Sequence, residues 1–162
     1  MRACLLFSAF LVSCTPLQAP KTWDRTFLEM KSDICYTIDD LIFAADENTN
    51  CPPKAQVREV LYDLFYNVPG MEGKLEATIV SFINHDLIID GGSGLATGMS
   101  QGNRALVVHW DDWDRTLQHE LAHVWLYRER ICMGDPSHSC SPVWRILNPI
   151  KYRPDSLLRE VP

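Results

Sequence analysis

Long apolar runs are missing from this chain. No stretch reaches the roughly 18 residues that a membrane-spanning helix needs, so no transmembrane segment is expected. Basic charge is also scarce. Fifteen Lys and Arg stand against 21 Asp and Glu, a formal net charge of −6. That excludes the broad basic face that binding a nucleic acid requires. No Cys-x-x-Cys pair occurs, which argues against a zinc site built from cysteines alone. The glycine-rich stretch 91–102 lacks both a following Lys-Ser or Lys-Thr pair and the G-x-G-x-x-G register, so it is not a phosphate loop. There is no internal repeat. What remains is a chain of 162 residues, 46% hydrophobic and 22% charged. It has the size and composition of one globular domain.

Six cysteines are present, and position sorts them. The opening stretch has one positive charge, Arg2, then a short apolar run ending in small residues. This is the layout of an export signal. Leu11-Val12-Ser13-Cys14 resembles a bacterial lipobox, in which the cysteine is lipidated and becomes the first residue of the mature protein. Ordinary cleavage after Ala19 is the alternative, and it places Leu17 where a small residue is wanted. The lipobox reading makes 1–13 a lipoprotein signal peptide and 14–22 a tether. It implies a bacterial envelope protein held on a membrane by lipid, and Thr15 in place of Asp implies the outer membrane. Cys35, Cys51, Cys132 and Cys140 are then left. An even number in an exported chain reads as disulfides, and short loops favour Cys35–Cys51 and Cys132–Cys140.

From Trp23 the apolar positions Phe27, Met30, Ile34, Ile38, Leu41 and Ile42 step by three and four, which predicts an amphipathic helix with Thr22 as its N-cap. A polar loop at 46–50 leads to Pro52-Pro53, which opens a second helix with Val57, Val60, Leu61, Leu64 and Phe65 on its buried face. Asn67-Val68-Pro69-Gly70 ends it. Residues 75–83, 86–90 and 104–109 are rich in Ile, Val and Phe and read as strands. The five glycines of 91–102 fit either a flexible hairpin or an exposed edge near a cleft, where backbone can pair with an extended peptide.

Asp111, Asp112 and Asp114 then mark a helix start, where acids suit the positive end of the dipole. The helix contains His119-Glu120-Leu121-Ala122-His123, an H-E-x-x-H motif. Four residues turn a helix by about 400°, so His119 and His123 share one face and can hold one metal ion. Glu120 lies roughly 100° away, placed to handle a proton without being a ligand. Glu120 is the sole charged residue between Thr116 and Tyr127, and Trp113, Leu117, Leu121, Val124 and Trp125 form an apolar stripe. A surface helix would carry more charge through this stretch.

The H-E-L-A-H helix, the strand before it and the glycine-rich edge before that resemble the zincin metallopeptidases over roughly residues 75–145. The resemblance implies an α+β fold: a small twisted sheet packed on an active-site helix, here with two preceding helices, in one domain over 23–162. It implies His119 and His123 as zinc ligands, Glu120 as general base, one Zn²⁺ ion and a peptide or protein substrate. The metzincin pattern does not apply, because Leu126 replaces its glycine and Glu129 its last histidine. A thermolysin-like downstream glutamate would have to be Glu160. The better third ligand is His138. A downstream histidine followed by an aromatic, here Trp144, is similar to SprT-like zincins, although Ser139 stands where those have glycine. A Cys132–Cys140 bridge would brace the loop carrying His138. Asp135 is the alternative ligand, or a carboxylate that orients a ligand histidine. Tyr152 is a candidate hydrogen-bond donor to an oxyanion. His85 and His109 read as structural, and Trp110, Trp113, Trp125 and Trp144 as core. A non-catalytic, zinc-binding envelope lipoprotein is the competing expectation.

Overall fold

The computed structural model describes residues 32–147 except 86, 89–94, 110 and 136. The signal and tether, Cys14, residues 23–31 of the first expected helix, Trp110, Tyr152 and Glu160 lie outside the described residues.

Where the described residues begin, the expected first helix is replaced by a hairpin. Strands β1 (Ser32–Ile38) and β2 (Leu41–Asp46) pair antiparallel with Ile38 opposite Leu41. Asp39 and Asp40 make the two-residue turn, with φ of 47° and 65°. Positive φ at both central residues is the condition for a hairpin turn whose twist matches its strands, and Asp tolerates it. The three-and-four spacing of Ile34, Ile38, Leu41 and Ile42 misleads because the turn falls inside it. The β-branched Ile and Thr of this stretch suit strands instead. So one helix, not two, precedes the H-E-x-x-H helix among the described residues.

That helix, α1 (Lys54–Asn67), starts after Pro53 and buries Val57, Leu61 and Leu64, with Val60 and Phe65 half-buried. A disulfide from Cys35 to Cys51, with Cα atoms 6.4 Å apart, ties β1 to the loop ahead of α1. The Tyr36 hydroxyl reinforces this by donating to the Pro52 carbonyl. Strand β3 (Ile79–Ile83) runs parallel to β2, so β2, α1 and β3 form a crossover unit. Short β4 (Leu87–Ile88) and β5 (Leu95–Ala96) pair with each other. Strand β6 (Gly98–Gln101) then turns antiparallel into β7 (Arg104–Val108), which lies parallel to β3. The five-stranded sheet has the order β1-β2-β3-β7-β6 and leaves β6 on an edge. The glycine-rich stretch therefore supplies an edge strand in its second half.

Register puts Phe43, Val80 and Ala105 side by side, and Ala45, Phe82 and Val107 two residues on. This face carries α1 and the helix α2 (Trp113–Arg128), whose Leu117, Leu121 and Val124 join the same buried core. The Gln118 amide donates to the Val60 carbonyl and ties α2 to α1. Truncating a core leucine such as Leu121 to alanine would cost about 2–5 kcal/mol. The architecture is thus α+β, a mixed sheet with helices on one face, and it holds one face of α2 rigidly while the other carries the histidines.

Candidate metal centre

Helix α2 continues past the position where a metzincin would turn, and stops at Arg128. Its end is closed by backbone bonds from Arg130 N–H to the Tyr127 carbonyl and from Ile131 N–H to the Leu126 carbonyl. This is a Schellman closure with Arg130, at φ 57°, in the place usually taken by glycine. The chain then doubles back through a tight turn at Cys132–Gly134. Cys132, Met133, Gly134, Asp135 and His138 all have positive φ, so the return path is tightly curled. It delivers His138 to the face of α2 that bears His119 and His123.

The three imidazoles converge through their Nε2 atoms. His119 and His123 are 3.2 Å apart, His123 and His138 3.0 Å, and His138 and His119 3.1 Å. His123 Nδ1 lies 2.7 Å from the Gly134 carbonyl. A carbonyl only accepts, so Nδ1 holds the proton and Nε2 of the neutral ring presents its lone pair to the centre of the triangle. Burial lowers the His123 pKa, which favours this neutral form, while the Gly134 bond and the Asp135 charge oppose the shift. Backbone fixation of a ring's far nitrogen is the usual support of a metal-binding histidine. An ion held at the ~2.0–2.1 Å typical of imidazole nitrogen would sit about 1 Å above such a triangle, so the spacing fits one. His119, His123 and His138 thus form a group that can hold a metal ion. Among the described residues no Cys, Asp or Glu joins them.

Trp144, on the short helix α3 (Val143–Leu147), is 1% exposed and closes the floor of this site. Its ring centroid lies 5.0 Å from that of His119 and 4.5 Å from those of His123 and His138.

Asp135 is neither a member of the cluster nor hydrogen-bonded to a ligand ring. Its Oδ1 accepts from Ser139 N–H at 3.1 Å and the Ser137 hydroxyl at 3.3 Å. Its Oδ2 accepts from Cys140 N–H at 3.0 Å, Ser141 N–H at 2.9 Å and the Trp144 indole at 2.6 Å. Burial alone would raise its pKa, but these donors outweigh it and hold the carboxyl at about 2. Asp135 therefore anchors the loop on both sides of His138 and fastens it to the Trp144 floor. The Cys132–Cys140 disulfide, with Cα atoms 6.4 Å apart, closes the same loop. Asp135→Asn turns an amide donor against a ring of donors. It is expected to destabilise the fold by about 2–3 kcal/mol and to weaken metal binding about 10–100-fold. Urea unfolding and a competitive metal titration measure the two effects.

Glu120 is 5% exposed and points towards β6. Burial pushes its pKa up to about 8, against the lowering effect of a hydrogen bond with Ser100. Sequence reasoning did not single out Ser100, the Gly134 carbonyl or Gly98 individually, because nothing in their residue types marks them. His85 is exposed, and His109 packs on Phe82 and Trp113, with ring centroids 5.8 and 6.2 Å away. Neither belongs to the cluster.

No protein-family model, curated protein or solved structure matches this chain. The functional reading therefore rests on the site itself.

Proposed function

We propose that this protein is a zinc-dependent peptidase of zincin type, exported and lipid-anchored through Cys14 in a bacterial envelope, with the outer membrane as its expected location. The observation that carries the reading is the convergence of three Nε2 atoms beside a buried carboxylate. Three imidazoles suit zinc, and three protein ligands are the count of catalytic rather than structural sites, which use four. The two disulfide-distance pairs agree with export. Edge strand β6 lies alongside α2, and its outer side, which no other described strand of the sheet covers, is where the backbone of an extended peptide substrate would add.

Zinc, when bound, supplies Lewis acidity, which polarises a carbonyl oxygen and makes water more acidic. The chain's own residues do the rest. His119, His123 and His138 would hold the ion and so set where a carbonyl can meet it. Glu120 takes a proton from the attacking water on its carboxylate and passes it to the departing amine. Burial suits this exchange, because it brings the carboxyl pKa towards the working pH. Trp144 keeps one side of the imidazoles apolar.

The test uses the zinc-loaded protein on a library of quenched fluorescent peptides. Cleavage that disappears on chelation and returns with zinc is expected. Stoichiometric zinc binding without cleavage of any peptide would leave the non-catalytic lipoprotein as the correct reading.

A further inference from the structure

Helix α1 carries a feature that the metal centre does not use. Its inner face is filled by Val57, Leu61 and Leu64, yet its outer face bears two large aromatic side chains. Tyr62 is 70% exposed and Tyr66 is 76% exposed. Four residues apart on a helix, they are neighbours on one face. Their rings stack on each other, with centroids 6.3 Å apart and planes 19° from parallel. A single exposed apolar side chain is ordinary, but two stacked rings form a contiguous patch. The pair stands in an open groove of about 860 Å³. Its lining comes from three parts of the chain: Asp39 in the β1–β2 turn, Glu59 and Asp63 on α1, and Glu72 just after the turn Pro69–Met71. Arg58 is the one cation of the lining, so the groove has three negative charges in excess (four minus one). All five charged side chains are exposed.

We propose that this groove is a docking site for an arginine-bearing, basic segment of a partner protein, with one guanidinium over the Tyr62–Tyr66 pair and its neighbours on the segment meeting the carboxylates. The chemistry selects this occupant. An aromatic face attracts a cation, and a planar guanidinium can lie flat on it where a compact, strongly hydrated ammonium cannot. Carboxylates take the N–H groups of a guanidinium in pairs. The excess of negative charge repels an acidic segment and an anionic membrane surface alike. Size also decides. A groove of about 860 Å³ is far larger than one side chain needs, so it fits several residues of a chain. Tyrosine and arginine are the residues that most often dominate such contacts. The proposal does not depend on how the three histidines are read.

The probe is a fluorescein-labelled peptide of four Gly-Arg repeats, titrated with the full chain and read by fluorescence anisotropy. A peptide of four Gly-Lys repeats is the comparison. The arginine peptide is expected to bind, and the lysine peptide to bind about fivefold more weakly. Tyr62→Ala with Tyr66→Ala is expected to weaken arginine-peptide binding about tenfold, whereas Tyr62→Phe with Tyr66→Phe, which keeps both rings, should stay within about twofold of wild type. Glu59→Gln with Asp63→Asn is expected to weaken binding about tenfold and to flatten its dependence on salt. Glu47→Gln with Asp111→Asn removes as much charge outside the groove and should change binding less than about twofold. Every substituted side chain is exposed, so the urea midpoints should stay close to wild type. No binding of the arginine peptide would overturn the proposal. Unchanged binding in the tyrosine-to-alanine variant would overturn it too, because the attraction would then be diffuse. So would an equal loss when the charges outside the groove are removed. Arginine amide competing as strongly as the whole peptide would make the groove a small-cation site and refute docking of a chain segment.

Discussion

Replacing His138 with glycine is expected to reduce zinc affinity on the order of 10²–10³-fold. The size follows from ligand arithmetic. Structural zinc sites with four ligands bind with about 10–16 kcal/mol, so each ligand carries roughly 2.5–4 kcal/mol. Glycine is the right replacement because His138 has a φ of 56°, which alanine would adopt only under strain. His138→Gly thus removes the ring and leaves the backbone path intact. The loss should appear in competition against a chromophoric chelator while the urea midpoint of the metal-free protein stays close to wild type. An unchanged zinc affinity would show that His138 is not a ligand. The hydrogen bonds that occupy both oxygens of Asp135 make it a poor substitute.

Glu120→Gln is expected to lower the rate of peptide hydrolysis about 10²–10⁴-fold, the contribution of a positioned general base. Zinc affinity should change only a few-fold, because the glutamate is outside the ligand set. The substitution has a second signature in the metal-free protein. The Glu120 carboxyl is held at about 8 by burial, above the 4.5 that is ordinary for a glutamate. A carboxyl raised in the folded state stabilises the fold only while it is protonated. That contribution is complete below pH 4.5 and is lost as pH rises to about 8. The wild-type protein should therefore lose stability relative to Glu120→Gln across this window. Thermal melts of the two metal-free proteins at a series of pH values measure the difference. A difference independent of pH would mean that the carboxyl is not buried as described.

Helix α2 was legible in the sequence because its signals agree. Acids mark its start, charge is absent through its middle except at Glu120, and the histidines repeat at one helical turn. The pairing of Cys132 with Cys140 and the placement of His138 were legible because a short loop limits where a residue can go. The hairpin at 32–46 was not. Its apolar residues fit a helical period as well as a strand one, and Asp39-Asp40 is a weaker turn signal than Asn-Gly. The role of Asp135 was also hidden, since a carboxylate that binds metal and one that gathers backbone N–H groups look alike in sequence. Of the five glycines in 91–102, the one at 98 is set apart by what faces it across the fold. That neighbour, Glu120, is 22 residues downstream, beyond the reach of any local pattern.

The contact of Trp144 with all three imidazoles has an optical consequence. An indole within 5.0 Å of every ring in the cluster will have an emission sensitive to the charge and electron count of whatever those rings hold. Copper(II) or cobalt(II) would quench it by energy and electron transfer, whereas zinc, with a filled d shell, would not. The site therefore carries its own fluorophore, and occupancy can be followed without a label.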